Sequence, residues 1–123
     1  MANRNFNRLQ ALSKEIKLIY CRATIAGTGA PTLVSADSLG VASISRVSAG
    51  LYDITLSDQY VKLALGEAVI RTPTAEDIKA NVVSEAVAST KIIRVRCTTG
   101  AVATDPANGD QLACVFHLKN STV

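Results

Sequence analysis

Tryptophan is absent from these 123 residues, histidine and methionine occur once each, and there are three prolines. A lone histidine, His117, excludes a relay between two imidazoles and any metal cage built from several histidines. The three cysteines, Cys21, Cys97 and Cys114, are odd in number and have no C-x-x-C spacing. Neither a disulfide framework nor a zinc site is indicated, and buried free thiols in a reducing compartment are expected. Also missing are the nucleophile elbow G-x-S-x-G, the phosphate loop G-x-x-x-x-G-K, the zinc helix H-E-x-x-H and an acidic loop of the EF-hand kind. No run approaches the roughly 20 apolar residues of a membrane helix, and "MANRNFNRLQALSKEIK" carries charges where a secretory signal needs an apolar stretch. The expectation is a protein without catalytic residues, cofactor, metal or membrane contact, made without export.

What is present is the composition of a packed β protein. Hydrophobic residues make up 48% and charged residues 19%, enough apolar surface for one domain with one core. Small and β-branched side chains dominate, with Phe6, Phe116, Tyr20, Tyr52 and Tyr60 as the aromatics, a mixture suited to closely packed sheets. "EIKLIYCRATI" reads as a strand with Ile16, Leu18 and Tyr20 on one face and Ile19, Cys21, Ala23 and Ile25 on the other, and its two apolar faces imply cover on both sides. "AGTGAPT" is a loop. "GVASISRVSAGLYDITLS" reads as a hairpin of two strands, about 41–47 and 51–57, turning at Gly50, with Tyr52, Ile54 and Leu56 toward a core. "SDQYVKLALGEAVI" is expected to open with one helical turn capped by Ser57 or Asp58 and to return to strand near 67–71. A short turn at 74–78 and then extended chain follow.

In the last third, "KIIRVRCTT" and "QLACVFHLK" alternate as strands and are expected to pair as a second hairpin across "GAVATDPANGD". That loop holds Asp105, Pro106, Asn108 and Asp110, taken as candidate contact residues because long loops in compact domains often carry function. Its "DPANGD" reads as a turn rather than a calcium site, since a hard cation needs six to eight oxygens. The sum is an all-β chain, an antiparallel β-sandwich of jelly-roll-like type.

The charge is uneven. The net +3 resides in residues 1–22, where Arg4, Arg8, Lys14, Lys17 and Arg22 face only Glu15, and the remainder is nearly balanced. Phe6, Leu9 and Leu12 repeat at helical spacing behind a possible asparagine cap. A helix this short needs a surface, either the protein's own sheet or a neighbouring subunit. Residues 1–22 therefore read as an arm leading into the first strand and 23–123 as the sandwich domain. Arg4, Phe6, Arg8, Leu9, Leu12 and Lys14 are the arm's candidate partner-binding residues.

Gly50, Tyr52, Ile54 and Thr55, followed by Asp105, Pro106 and Gly109, resemble the G-x-Y-x-[ILV]-T and DP-x-x-G strands of small virion structural proteins of tailed bacteriophages. The resemblance implies a capsid decoration, or cement, protein on the outer capsid surface of a virion, made in the host cytoplasm. It implies a β-sandwich, trimeric more often than dimeric, bound to the major capsid protein lattice. Decoration proteins differ in fold, so no binding residue is carried over by the motif. Two other readings stand beside it: a tail, fibre or neck module, and a β-barrel nucleic-acid binder using Lys91, Arg94, Arg96 and the arm. The second lacks the exposed aromatics on which single-stranded bases stack.

Overall fold

In the computed structural model, residues 16–73 and 77–119 are described. They form an antiparallel β-sandwich. Sheet A has the order β2-β1-β9-β5, from Thr32–Leu33, Ile16–Thr24, Gln111–Lys119 and Lys62–Arg71. Sheet B has the order β3-β4-β7-β6, from Val41–Ser48, Leu51–Leu56, Ile92–Thr99 and Lys79–Ala86, and the short β8 (Val102–Ala103) pairs with β7. A single turn of 3-10 helix, Ser35–Asp37, precedes β3.

The period of two decides what lies inside. Ile19, Cys21 and Ala23 of β1 and Leu112, Cys114, Phe116 and Leu118 of β9 face Tyr52, Ile54 and Leu56 of β4 and Ile93, Val95 and Cys97 of β7, all at 2% exposure or less. Each fully buried Ile, Leu, Val or Phe contributes about 1.5–3 kcal/mol of transfer free energy. The three thiols are free. Burial pushes Cys21 up to about 11 and Cys97 up to about 12, and Cys114 is raised further by the same cause. They behave as small core hydrophobes.

Two expectations need correction. "SDQYVKLALGEAVI" contains no helical turn, and β5 runs continuously over Lys62–Arg71. A bulge between Leu63 and Leu65 breaks its alternation, so the period of two is hidden in the sequence. The last two long strands are not a hairpin either. β7 pairs with β4 and β6 in sheet B, and β9 pairs with β1 and β5 in sheet A. The loop between them carries the chain from one sheet to the other. The first hairpin is present as β3–β4. Residues 16–22, counted with the arm above, belong to β1 and hence to sheet A; residues 1–15 and 74–76, which hold the rest of the arm and part of the expected 74–78 turn, lie outside the described residues.

One carboxylate ties the crossing loop to the hairpin. Arg46 Nε and Nη2 donate to the two oxygens of Asp105 at 3.0 and 2.7 Å. The Gly50 amide and the Tyr52 hydroxyl donate to the same carboxylate at 2.9 and 3.2 Å. The Arg46 guanidinium, then the Gly50 amide and Tyr52 hydroxyl, hold the Asp105 carboxyl below its ordinary range against the opposing effect of burial. Gly50 has φ +68°, and an added Cβ would lie 2.5 Å from the Cys97 carbonyl oxygen and 2.7 Å from the Thr104 nitrogen. Only glycine fits where the hairpin corner meets the loop.

Candidate docking face on sheet A

The two outer faces of the sandwich differ in chemistry. On sheet B the outward residues include Ser45, Asp53 and Arg94 in one cross-strand row and Arg96 beside Asn81 in the next. Arg94 Nε and Nη2 donate to Asp53 at 2.7 and 3.0 Å. The charge of Arg94 is met by a carboxylate on the neighbouring strand, and the exposed apolar residues of this sheet, Val47 of β3, Val83 of β6 and Val102 of β8, stand on separate strands.

Sheet A is apolar on both sides. Its register places Leu18, His117 and Leu65 in one outward row across β1, β9 and β5, Tyr20, Val115 and Glu67 in the next, and Arg22, Ala113 and Val69 in the third. Leu39 extends the middle row through its bridge to Tyr20. Leu18, Tyr20, Leu39, Leu65, Val69 and Val115 are 51%, 41%, 54%, 55%, 58% and 39% exposed. Six large apolar side chains on adjoining rows make a continuous patch, which on a folded protein marks a contact surface more often than a chance exposure.

Near its middle the face dips into a shallow depression of about 400 Å³ between Tyr20, Arg22, Asp37, Glu67, Val69 and Val115. Arg22 forms a fixed wall. Its Nη1 donates to Asp37 at 2.9 Å, and its Nε and Nη2 donate to Gln111 Oε1 at 2.8 and 2.5 Å. At the other end Ile16, Lys119 and Lys62 are in register across the three strands. An apolar centre between charged margins is the layout of a protein–protein interface. Glu67, in the middle row, has no ion-pair partner among the described residues.

The loop residues expected to make contacts are placed differently from one another. Asp105 is held by Arg46, Gly50 and Tyr52, Pro106 is buried, and Asp110 is 2% exposed. The Asp110 carboxylate accepts from the Ala107 amide at 3.1 Å, and its carbonyl accepts from Ile25 at 2.8 Å. Asn108 alone of the four is exposed. Arg4, Phe6, Arg8, Leu9, Leu12 and Lys14 lie outside the described residues. His117 is half-buried on the sheet A face, between Leu18 and Leu65. Among the described residues no helix is long and apolar enough to cross a membrane, and no cluster of three or more His, Cys, Asp or Glu is placed to hold a metal.

The outward apolar residues of β1 were legible as a two-faced strand, but Leu65, Val69 and Val115 were not. The bulge disguises the first two, and Val115 stands among the polar outward residues of β9. Comparison with protein-family models, curated proteins and solved structures finds no match to this chain.

Proposed function

We propose that this protein is a structural binding module of a virion, a capsid decoration or cement protein that docks the outer face of sheet A on the assembled outer shell and bridges neighbouring capsid subunits. The observation that carries the docking part is the difference between the two sheets: sheet A exposes six large apolar side chains on adjoining rows, whereas sheet B carries the Asp53–Arg94 pair and exposed valines, Val47 and Val83, only on its two opposite edge strands. The virion part is supported by the resemblance in Gly50–Thr55 and Asp105–Gly109. Those two segments meet in space, because the Asp105 carboxylate accepts from the Gly50 amide and the Tyr52 hydroxyl. A shared motif of this kind would therefore maintain the scaffold and leave the contact residues free to vary.

The mechanism is linkage. A module that binds the assembled lattice and not its free subunits stabilises the lattice by mass action, and weak contacts repeated over a homo-oligomer, trimeric for preference, add through avidity. The nucleic-acid reading is less well supported, since Arg94 is already paired with Asp53.

Co-sedimentation with assembled shells stripped of this protein tests the proposal. Leu65→Asp and Val69→Asp, both on exposed positions of β5, should each weaken binding about tenfold or more while leaving thermal unfolding nearly unchanged. Unaltered binding by both variants would sink the assignment of the face. Attachment to purified tails and not to shells would move the module to the tail or neck.

A further inference from the structure

We infer that two copies of this chain pair through the free edge of β5, antiparallel about a two-fold axis at Val69, and so join their A sheets into one. Strands at the ends of a sheet carry unpaired amides and carbonyls, and most are blunted by shortness or by bulges. Three of the four here are. β2 has two residues, β3 has register shifts at Val41/Ser43 and Arg46/Ser48, and β6 has one at Val82/Ser84. β5 differs: beyond its shift at Leu63/Leu65 it runs straight over residues 65–71, and among the described residues it pairs with β9 alone. It is the edge best shaped to receive another strand.

The core is also open along this edge. Ala68 and Ile70 of β5 face inward, yet they and their neighbours across the sandwich, Ile78 and Val82, are only half-buried, whereas Leu112, Cys114, Phe116 and Leu118 of β9 are at most 2% exposed. Shallow depressions of about 390 and 380 Å³ lie between β5 and the start of β6. A second copy laid along the edge would cover them.

Face and charge together select the register. Residues opposed across the axis must lie on the same face, since a slip of one residue would turn one copy's side chains over. Centring on Val69 sets Glu67 opposite Arg71 of the second copy and, by symmetry, Arg71 opposite Glu67. Both side chains are exposed, and neither has an ion-pair partner among the described residues. Opposite charges directly across a pair of strands stabilise it and like charges destabilise it. Centring on Glu67 or on Arg71 opposes like charges, and centring on Ala68 or Ile70 leaves both without a partner. With the axis at Val69, Leu65 meets Pro73, whose missing amide ends the ladder.

The axis stands perpendicular to the sheet, so the exposed apolar faces of the two copies look the same way, with Leu65 and Val69 of each near the centre. Such a contact is isologous and closes at two copies. It makes a dimer, not the trimer that the resemblance favours.

Sedimentation equilibrium of the full chain tests the pairing without any shell. At about 100 μM the unaltered chain should have twice its mass of 12.9 kDa. Glu67→Arg and Arg71→Glu each turn two attractive pairs into two repulsive ones, and each should weaken the dimer about tenfold or more. Arg71 lies outside the apolar patch, so its change reads the edge and not the face. The chain carrying both changes exchanges the charges and should regain the dimer. A monomer or a trimer in the unaltered chain would overturn the pairing, as would a dimer indifferent to the single changes or one that the double change does not restore. Shell binding decides the docking reading separately: shells that take up no protein would sink that reading and leave the measured mass to decide this one.

Discussion

Asp105 is the residue through which the crossing loop and both strands of the first hairpin, β3 and β4, are joined. Its folded carboxyl is held below the usual value of about 4 by Arg46 first, so its stabilising effect is fully present above that value and is lost as pH falls through the lower folded one. Asp105→Asn should therefore destabilise the protein most at neutral pH, by about 2 kcal/mol, since a charge-assisted bond and buried donors are involved. The difference in unfolding free energy between the two proteins should shrink below about pH 4; a difference constant from pH 7 to pH 3 would contradict this. Gly50→Ala meets backbone atoms that cannot move aside, and a positive φ besides. It should cost about 3 kcal/mol or prevent folding, as measured by denaturant unfolding. Both residues were visible in the sequence as turn formers. Their meeting was not, because nothing in local pattern says that a loop at 105 closes on a corner at 50.

Among the elements, the turn between β6 and β7 contains the one non-glycine residue with positive φ among those described, Lys91 at 66°. Its amide donates to the Ala86 carbonyl at 2.9 Å and its carbonyl accepts from Leu56 at 2.8 Å, so the conformation is held by the bonds on either side. Lys91→Gly removes the steric cost of the left-handed region and should raise stability by about 0.5–1 kcal/mol, after allowing for the greater freedom of glycine in the unfolded chain. A lower denaturation midpoint for this variant would contradict it. Strand identity was legible wherever alternation was clean, as in β1, β4, β7 and β9. It was only partial in β5, where 67–71 reads as strand but 62–66 does not, because the bulge at Leu63–Leu65 shifts the phase and Gly66 supplies no side chain to mark the inner face. An added Cβ at Gly66 would lie 3.2 Å from Phe116 and 3.3 Å from Val82, so here the strand edge passes close to β6. Pairing failed for β7 and β9 for a different reason: alternation tells which side of a strand is apolar, not which sheet the strand joins.

At the scale of the whole molecule, the sandwich class followed from composition and period, whereas the candidate site depends on register. Leu18, Leu65, Tyr20 and Val115 come from three strands spread between residues 16 and 119, and only the alignment of β1, β9 and β5 makes them one surface. The opposite sheet differs. Its outer face has Asp53 and Arg94 paired with each other, and its exposed valines, Val47 and Val83, lie on opposite edge strands, so it offers no comparable continuous apolar patch. Docking through sheet A, as proposed, would turn the more apolar face inward and leave the Asp53–Arg94 pair outside. The measurement that tests this most directly is imaging of the intact parent particle at a resolution that traces side chains. Copies repeated over the outer shell, with Leu18, Leu65, Val69 and Val115 buried against capsid subunits, are the expected result. Copies on the shell with sheet A turned to solvent, or density confined to the tail axis, would contradict it.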